Sequence, residues 1–436
     1  MQKVNSDMKK RVLVYPCGTE IGLEIYRAVN KSIHFQLIGG SSNYDHGQFV
    51  YKDLINDLPF ITDDSSKEDI VAFNQCILNK RIDFIYPAMD GVVYAFAKYR
   101  QYLKPVVIAP DYKTAAITRS KSRTYEYFAD TLKTPSCYEE IDEIAEYPVF
   151  VKPDVGQGSV GTAVVKSSQE LRYLLAKKLD LLILEYLPGE EYTIDCFTNS
   201  EGKLVYARGR TRKRIKNGIS VNAVFYDEPE FGIIAEKINK QLNQRGGWFF
   251  QLKRDRNGAL TLLEIASRIA GTSSITRNTG VNLPLLTLHL FNGNSIHDVL
   301  INPYDIELDR ALYNKYHLSL SYDTVYFDYD DTIVIDSRIN TQIMAFVFQC
   351  INNGKHLVLL TKHKGDIFAE LRKYRLETLF DQVMQLDATE EKAAFIMDSN
   401  SILIDDSYGE RLKIASIFHI PTFDTHMIEC LLEEND

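Results

Sequence analysis

Short apolar runs alternate with amphipathic segments over the first quarter of the chain. The apolar run at 11–15 is followed by the helical pattern LEIYRAV, and the apolar runs FQLIGG and IDFIYPAMDG come next. Strands that alternate with helices at this spacing predict a parallel sheet whose functional residues lie at the carboxyl ends of its strands. We therefore expect an α/β fold class, with a small α/β lobe over residues 1–112.

The turn after the first apolar run contains Gly18 and Gly22 but lacks the third glycine of a dinucleotide-binding loop. No acidic residue ends the next strand either, so a dinucleotide site is disfavoured. Packing, or contact with an acceptor substrate, is the favoured role of this lobe. Asp90 and Gly91, at the end of a predicted strand, are the candidates for such a contact.

The stretch VFVKPDVGQGSVGT at 149–162 joins an apolar strand to a glycine-rich turn. The strand ends at Lys152, and Gly156, Gly158 and Gly161 follow. Backbone N–H groups of such a hairpin can bind polyphosphate oxygens. The spacing matches neither the Walker loop nor the Rossmann fingerprint. A nucleotide-binding lid and an ordinary solvated turn are both compatible with this stretch alone.

Two neighbouring segments carry polar residues that suit a nucleotide. Lys121 lies in the first turn of a predicted helix, where a cation opposes the helix dipole, so either a bound anion or a solvated lysine is expected. Further on, an apolar strand ends in EYLPGEEYTID. The backbone at Glu185 and Leu187 can hydrogen-bond an adenine, and the Glu191 carboxylate can accept hydrogen bonds from ribose hydroxyls.

A second group of polar strand ends begins at residue 323. The apolar strand in TVYFDYDDTIV leads to Asp328 and Asp330, which lie on the same side of the chain, with Thr332 beyond them. Two carboxylates this close repel each other unless a cation or a proton lies between them. The later strand ends and a helix start add four polar residues: Thr361, Lys392, Asp405 and Asp406.

Length and composition set the class of protein. A chain of 436 residues exceeds what one hydrophobic core usually spans, and about three domains are expected. The net charge of -9 disfavours a duplex nucleic acid as partner, because such binding needs a basic surface. No apolar run approaches the roughly 18 residues of a membrane span. The start MQKVNSDMKK has no apolar signal core, so we expect a cytoplasmic protein without a membrane partner.

Six cysteines lie far apart among apolar neighbours, without a C-x-x-C pair. We therefore expect buried free thiols rather than disulfides or a zinc site.

Four ordered motifs between residues 10 and 300 together resemble the ATP-grasp superfamily, most closely its carbamoyl-phosphate-synthetase-type branch. They are Lys121, KPDVGQGSVG, EYLPGEEYTID and FFQLKRDRNGALTLLEIASRIAG. The resemblance implies a pre-ATP-grasp lobe followed by an ATP-grasp domain of two α+β subdomains at 113–300. It also implies an ADP-forming ligase that phosphorylates a carboxylate and lets an amine attack the acyl phosphate. The substrates would be small molecules, with an amino acid among the candidates.

The resemblance assigns roles by position. The residues that would hold and cover the ATP phosphates are Lys121, Lys152, Gly158, Ser159 and Gly161. Those that would meet adenine and ribose are Glu185, Leu187 and Glu191. Gln251 and Glu264 would bind Mg²⁺, which prefers oxygen ligands, and Arg268 would steady the transferring phosphoryl group. Phosphoryl transfer is mainly charge neutralisation and positioning, so these residue types suit it.

One position departs from the family pattern. Ala266 stands where an Asn usually supplies a second-metal ligand, so Ser267, Asn278 or water would have to replace it. The chain has one grasp module where carbamoyl-phosphate synthetases have two, so synthesis of carbamoyl phosphate is disfavoured.

The segment YARGRTRKRIKNGISVNAVF concentrates positive charge. Its basic residues are Arg208, Arg210, Arg212, Lys213, Arg214 and Lys216. A solvated charged face, a nucleic-acid patch, and a loop near the phosphates that steers an acidic substrate are all compatible with it. Further on, Arg277, with Asn278 and Asn282 beside it, is either a clamp for a substrate carboxylate or a surface residue.

The strand ends of residues 323–436 are similar to those of the haloacid-dehalogenase (HAD) superfamily. By that resemblance Asp328 would form an aspartyl-phosphate and Asp330 would be the general acid and base. Thr361 and Lys392 would bind the phosphoryl group, while Asp328, the Asp330 carbonyl and Asp405 or Asp406 would bind Mg²⁺, with Mn²⁺ as an alternative. Asp331 stands where a glycine is common in that family. The domain would be Rossmannoid, without a large cap, and joined by a linker at 301–322.

The sequence therefore predicts an ATP-grasp ligase fused to a HAD phosphatase that acts on a small phosphorylated metabolite. Two alternatives remain: an ATP-binding regulatory module with the phosphatase as the active enzyme, and a phosphatase that processes nucleic-acid ends. The oligomeric state is open.

Overall fold

The computed structural model describes residues 9–433 apart from 157, 159, 178, 179, 217, 218, 312, 314, 315 and 317. The chain divides into two compact units, Met1–Leu312 and Tyr313–Asp436. None of the described helices has the length and apolar character needed to span a membrane.

The first lobe of the N-terminal unit is a parallel five-stranded sheet in the order β3-β2-β1-β4-β5, with helices between the strands. Its elements are β1 Lys10–Tyr15, α1 Glu20–Val29, β2 Phe35–Gly40, β3 Leu54–Ile55, α2 Lys67–Ile77, β4 Phe84–Pro87, α3 Asp90–Lys98, β5 Val106–Val107 and α4 Tyr112–Arg119.

Alternate residues of the central strand β1 pack on opposite faces of this sheet. Val12 and Val14 lie in one buried cluster, and Leu13 and Tyr15 lie in the other. This alternation follows from the pleat of a strand. Both faces of β1 are therefore covered, and its carboxyl end leads directly into Thr19, which caps α1 by accepting a hydrogen bond from the Gly22 N–H.

The second part of the N-terminal unit is an antiparallel sheet in the order β6-β9-β7-β8. Its elements are α5 Lys121–Phe128, β6 Cys137–Tyr138, β7 Val149–Pro153, β8 Ala163–Val165, α6 Ser168–Lys177 and β9 Leu181–Glu185. The glycine-rich turn joins β7 to β8. Gly158 and Gly161 in that turn have positive φ angles of 62° and 78°, which glycine adopts without strain.

The third part is built on a longer antiparallel sheet in the order β11-β10-β14-β15. Its elements are β10 Glu191–Thr198, β11 Leu204–Thr211, β12 Arg214–Lys216, β13 Ile219–Val224, α7 Pro229–Gln241, β14 Gly246–Arg254, β15 Leu260–Ala266, α8 Ser274–Asn278, α9 Leu283–Phe291 and β16 Glu307–Asp309. The register places Arg210, Thr193, Gln251 and Glu264 opposite one another across the four strands. On the other face, Trp248 and Phe250 pack with helix α7.

Part of the segment predicted as a linker is structured. Strand β16, within residues 301–322, pairs with β13 through Asn222 and Asp309. The expectation of a plain linker was wrong for these three residues, because the pairing joins segments about 85 residues apart and leaves no local signal in the sequence.

The C-terminal unit is a parallel five-stranded sheet in the order β21-β20-β17-β22-β23. Its elements are β17 Thr324–Phe327, β18 Val334–Ile335, β19 Arg338–Ile339, α10 Thr341–Asn352, β20 His356–Thr361, α11 Ile367–Lys373, β21 Gln382–Gln385, β22 Ser401–Ile404, α12 Tyr408–Phe418 and β23 Thr422–Phe423. The short hairpin β18–β19 is the insertion after β17. The helical run predicted at Lys392 is a single 3-10 turn, Lys392–Phe395.

The cysteines are all free, but the expectation that all are buried was wrong. Cys17, Cys196 and Cys350 are buried, whereas Cys76 and Cys137 are exposed and Cys430 is half-buried. Cys76 points outward because α2 buries the neighbouring Phe73 and Ile77 instead.

Candidate functional sites

One cavity of about 500 Å³ lies within the N-terminal unit, between its first lobe and its two four-stranded antiparallel sheets. Nine of the residues predicted to bind nucleotide, metal or phosphoryl group line it: Lys121, Lys152, Gly158, Glu185, Leu187, Glu191, Gln251, Glu264 and Arg268. Gly161 is not among the lining residues, and Ser159 lies outside the described residues. The cavity therefore brings residues from four separate motifs to one place.

Two of the predicted residues, the buried Lys152 and the half-buried Lys121, supply positive charge in this cavity. Lys152 Nζ, on β7, donates to the Tyr125 hydroxyl at 2.6 Å and to the Leu263 carbonyl at 3.4 Å. Burial lowers the pKa of Lys152 to about 8, although the nearby Glu264 carboxylate acts in the opposite direction. Burial also lowers the pKa of Lys121. An anion bound here would favour the charged form of both lysines.

The glycine-rich hairpin is anchored at the start of α5. Asp154, at the end of β7, accepts hydrogen bonds from the Ser122 N–H at 2.7 Å and from the Ser120 hydroxyl at 2.8 Å. Its carboxylate supplies the negative charge that a helix N-terminus favours and so offsets the unfavourable position of Lys121. The Lys121 ammonium in turn donates to the Asp154 carbonyl at 3.1 Å.

The predicted adenine and ribose contacts are partly engaged within the protein. The Glu185 N–H donates to the Ser136 carbonyl at 2.9 Å, because β9 is a central strand and not an edge. The predicted use of strand-edge backbone at Glu185 was therefore wrong for its N–H group. Leu187 follows the end of β9 and lines the cavity. The Glu191 carboxylate accepts a hydrogen bond from Arg212, which lines the same wall.

The two predicted metal ligands lie opposite each other on adjacent strands. Gln251 on β14 pairs with Glu264 on β15, and both line the cavity. The Gln251 Nε2 lies 3.3 Å from the Thr193 hydroxyl, to which it donates. Their amide and carboxylate oxygens are the donor types that Mg²⁺ prefers.

Asn278 does not replace the second-metal ligand that the Asn usual at position 266 would supply. Ala266 is buried and offers no ligand atom. The Ser267 hydroxyl lies 3.2 Å from the Thr118 hydroxyl. Asn278 donates to the Ser274 carbonyl at 3.0 Å and does not line the cavity.

Arg268 reaches the cavity from the loop after β15 and is held by the first lobe. Its Nε donates to Asp90 Oδ1 at 2.8 Å, and its Nη2 donates to Asp90 Oδ2 at 2.5 Å. The guanidinium also lies over the Phe249 ring, 5.4 Å from its centroid. Asp90, noted in the sequence only as a strand-end candidate, thus belongs to this site.

Comparisons with known proteins agree with this geometry. Residues 177–309 match the family model described as "ATP-grasp in the biosynthetic pathway with Ter operon". The biotin carboxylase domain of the Hydrogenobacter thermophilus 2-oxoglutarate carboxylase, solved with MgADP, ADP and bicarbonate, has a similar fold. The TM-score is 0.55 at 17% identity, over 68% of this chain and 73% of that one. Residues 177–309 of the N-terminal unit are therefore similar to an ATP-grasp domain.

Curated proteins that are similar to this chain include ligases. The 3-methyl-D-ornithine–L-lysine ligase of Methanosarcina mazei is 25% identical over 235 residues, which is 52% of this chain and 60% of the relative. The arginine-specific large chain of Bacillus subtilis carbamoyl phosphate synthase is 27% identical over 170 residues, 36% of this chain and 16% of the relative. The chain thus spans less than two thirds of the length of either relative.

The basic segment of the N-terminal unit is not a free cationic patch. Four of its arginines form ion pairs: Arg208 with Asp227, Arg210 with Asp195, Arg212 with Glu191 and Arg214 with Asp309. Arg210 and Asp195 are both fully buried, which the sequence did not indicate. These pairs argue against a nucleic-acid surface formed by the arginines.

The predicted carboxylate clamp at Arg277 was wrong. Arg277 Nε donates to Glu24 Oε1 at 3.0 Å, and Glu24 is buried on α1. Asn282 caps α9 and donates to the Ala28 carbonyl at 2.7 Å. Neither residue lines the cavity of the N-terminal unit, because both hold α1 against the segments that follow β15.

The C-terminal unit has a polar site of its own at the carboxyl ends of its strands. Lys392 Nζ donates to Asp328 Oδ1 and to Asp405 Oδ2, each at 2.6 Å. Among the described residues, Asp328, Asp405 and Asp406 each offer one oxygen, and these oxygens lie within 4.8 Å of one another. This is a donor set that Mg²⁺ prefers.

The electrostatics of this second site favour a bound cation. Burial raises the pKa of Asp328 to about 7; the Lys392 ammonium opposes the rise, and the Asp405 carboxylate adds to it. Burial, followed by Asp405, also raises the pKa of Asp406. A divalent cation would relieve this repulsion and favour the ionised carboxylates.

His363, which no sequence motif singles out, links the two predicted residues Asp330 and Thr361. His363 Nδ1 lies 2.9 Å from Asp330 Oδ1, and the backbone N–H of His363 donates to the Thr361 hydroxyl at 3.1 Å. Thr361 is fully buried at the end of β20. Asp331 has a φ of 54°, a left-handed conformation that explains why glycine suits this position.

Proposed function

We propose that the N-terminal unit is an ATP-dependent, ADP-forming carboxylate–amine ligase whose substrates include an amino acid. The main support is one cavity that gathers a buried lysine, a half-buried lysine, two side chains with oxygen ligands and an arginine from separate motifs. The Methanosarcina mazei relative, which is named for ligating 3-methyl-D-ornithine and L-lysine, supports amino acids as the substrate class.

The proposed roles follow the chemistry of each group. Lys121 and Lys152 bind the ATP phosphates under the glycine-rich hairpin, with adenine near Leu187. Gln251 and Glu264 would hold Mg²⁺, which would screen the charge of the phosphates. A substrate carboxylate oxygen attacks the γ-phosphorus and ADP leaves, while Arg268 stabilises the transferring group. An amine then attacks the acyl phosphate, forms the amide and releases phosphate and a proton.

The test of the ligase is ADP release from ATP and Mg²⁺ with pooled L-amino acids. We expect amino-acid-dependent ADP, and a loss of about 100-fold in Lys152→Ala, because the buried cation would no longer bind phosphate. Lys166→Ala, which removes an exposed lysine after the same hairpin, is the matched control. If Lys152→Ala keeps full amino-acid-dependent ADP release, the role of Lys152 is wrong. ADP release at the same rate with and without amino acids would favour the alternative of an ATP-binding regulatory module.

We further propose that the C-terminal unit is a Mg²⁺-dependent phosphatase of the HAD type, with Mn²⁺ as an alternative ion. The main support is the cluster of Asp328, Asp405 and Asp406 with Lys392. Asp328 attacks the phosphorus of a phosphomonoester, and Asp330 protonates the leaving oxygen. Water, deprotonated by Asp330, then attacks the aspartyl-phosphate and releases inorganic phosphate. Thr361 and Lys392 would bind the phosphoryl oxygens.

The test of the phosphatase is hydrolysis of p-nitrophenyl phosphate with Mg²⁺ and with EDTA. We expect Mg²⁺-dependent release that Asp328→Asn reduces by about 1,000-fold, because the nucleophile is lost. Asp387→Asn changes an exposed aspartate of the same unit and should leave the rate unchanged. Equal rates in Asp328→Asn and the wild type would contradict the role of Asp328.

The domain limits that accompany this proposal are 1–112 for the first lobe, 113–300 for the ATP-grasp domain and 323–436 for the phosphatase. Nucleic-acid end processing is a weaker alternative, since the arginines of the basic segment are paired with carboxylates. Binding of single-stranded DNA that weakens steeply with salt would support that alternative.

A further inference from the structure

Asp90 is the first residue of α3 in the first lobe, and it contacts a residue of the candidate ATP site. Its two carboxylate oxygens accept from Nε and Nη2 of Arg268 at 2.8 and 2.5 Å. Both side chains are largely buried, with 14% of Arg268 and 17% of Asp90 exposed. Ala88 and Met89, just before Asp90, line the same cavity as Arg268.

The contacts of Arg268 fix which way its guanidinium presents its remaining donors. A guanidinium has five N–H groups. In the described structure, two are donated to Asp90, and one from Nη1 is donated to the Ile269 carbonyl at 3.0 Å. The other two are one N–H on Nη1 and one on Nη2. Such a pair can donate together to two oxygens of a phosphoryl or carboxylate group.

We propose that Asp90 is a positioning residue, which holds Arg268 so that its two remaining N–H groups meet the transferring phosphoryl group. This inference rests on the proposed ligase function of the same cavity. An arginine side chain has several rotatable bonds, so without a bonded partner its guanidinium samples many orientations. A bidentate carboxylate from another lobe removes that freedom before the substrate arrives, and preorganised donors stabilise a developing charge better than mobile ones.

The electrostatics of the pair agree with this role. Burial alone would raise the pKa of Asp90, but the positive charge of Arg268, helped by Arg119 and Lys121, outweighs burial and the pKa is lowered. Asp90 is therefore ionised near neutral pH and keeps the pair intact. Because the pair is neutral overall, the contribution of Arg268 to phosphate binding depends on the direction of its N–H groups more than on its net charge.

The same lobe offers a matched control. Arg119 Nε and Nη2 donate to the two carboxylate oxygens of Asp63 at 2.5 and 2.7 Å, in the same bidentate arrangement. Neither Arg119 nor Asp63 lines the cavity. Arg119 contacts the cavity wall through the Gly156 carbonyl, to which its Nη1 donates at 3.4 Å, whereas Arg268 lines the cavity itself. Asp63→Asn and Asp90→Asn therefore make the same chemical change in two similar ion pairs, and only in the second pair does the arginine line the candidate site.

The first measurement needs no turnover. Dissociation constants of the Mg²⁺ complexes of ADP and of the non-hydrolysable ATP analogue AMP-PNP are measured for the full chain and both variants. For Asp90→Asn we expect AMP-PNP to bind about tenfold more weakly, with ADP within about twofold of wild type. Asp63→Asn should change neither affinity. Thermal unfolding of both variants shows whether the fold is retained.

The second measurement is chemical rescue. Asp90→Ala should lose ADP release in the amino-acid assay, and sodium formate should restore part of kcat, since formate can accept from the same two N–H groups. The KM for ATP should change less than kcat. Sodium chloride at equal ionic strength, and formate added to Asp63→Ala, are the controls.

The outcomes separate the inference from the proposed function. Unchanged affinities in Asp90→Asn, or an equal weakening of ADP and AMP-PNP, would show that Asp90 only joins the lobes and would overturn the inference. Failure of formate with the AMP-PNP affinity unchanged leads to the same conclusion. A wild-type chain that binds neither nucleotide would overturn the ligase itself, and the role of Asp90 with it.

Discussion

At the scale of single residues, the ammonium group of Lys152 lies where the protein interior disfavours its charge. Its pKa of about 8 in the folded state is below the ordinary value of 10.5. Below pH 8 the group is charged in both the folded and the unfolded state, so the full penalty of burying the charge is present. As the pH rises from 8 to 10.5, the folded state releases its proton first and the penalty disappears.

Replacing Lys152 with methionine should therefore stabilise the nucleotide-free protein at pH 7. We expect the free energy of unfolding to rise by about 3 kcal/mol at most, and this gain to shrink as the pH approaches 10. Chemical unfolding of wild type and Lys152→Met at pH 7 and pH 9.5 checks this, with Lys166→Met as the exposed control. A gain that is the same at both pH values would mean that packing, and not charge, is responsible.

The pKa of Lys392 is shifted in the opposite direction from that of Lys152, because two carboxylates contact its ammonium group. Burial would lower its pKa, but Asp328 and Asp405 outweigh burial and the pKa is raised. Removing the ammonium would leave two buried carboxylates facing each other, which typically costs about 3 kcal/mol or more.

Lys392→Met should therefore unfold at a lower temperature than wild type in EDTA. Addition of Mg²⁺ should recover part of the loss, because the ion replaces the missing positive charge at the three aspartates. Thermal unfolding in EDTA and in Mg²⁺ measures both effects. Lys362→Met, which breaks a more exposed pair with Glu410, is the control and should respond little to Mg²⁺. If Mg²⁺ raises the unfolding temperature of neither wild type nor Lys392→Met above its value in EDTA, a metal site here is contradicted.

At the scale of elements, the sequence indicated most of the candidate residues because they lie in apolar strands or directly after them. Lys152 closes an apolar run, Gln251 and Glu264 lie in apolar alternation, and Asp328 follows a buried strand. Hydrophobic periodicity reports such positions directly. The residues around both sites could therefore be chosen before their distances were known.

What the sequence could not supply was the pairing between distant elements. The pair of Arg210 with Asp195 depends on the register of β11 against β10, and that of Arg277 with Glu24 joins residues 253 positions apart. The sequence of an arginine-rich segment does not show whether the fold pairs its arginines with carboxylates. His363 was missed for the same reason, since only the fold brings it to Asp330.

The glycine-rich hairpin permits a prediction at this scale. A side chain at Gly158 would meet no atom within 4 Å, but its φ of 62° strains any other residue. Gly158→Ala should cost about 1 kcal/mol locally and weaken ATP binding several-fold, because the turn would cover the phosphates less well. Gly202→Ala is matched, with a φ of 77° and equally open surroundings in a turn between β10 and β11. If Gly202→Ala weakens ATP binding as much, the effect is one of general stability.

At the scale of the whole molecule, the residues proposed to handle phosphoryl groups fall into two sets, one in each unit. All the residues that line the cavity of the N-terminal unit precede residue 313, and the aspartate cluster follows it. Each proposed reaction can thus be written with side chains of one unit alone. This separation in sequence is what allows the two activities to be tested independently in one polypeptide.

The full-length chain should show two activities that single substitutions remove one at a time. Lys152→Ala should reduce amino-acid-dependent ADP release by about 100-fold and leave p-nitrophenyl phosphate hydrolysis within twofold of wild type, because no residue of the second site is altered. Asp328→Asn should do the reverse. Both rates are measured on the same preparations of the intact protein, so that differences in folding affect them equally. If either substitution lowers both rates in a chain that unfolds at the wild-type temperature, the two sites are coupled and the assumption of independent reactions is wrong.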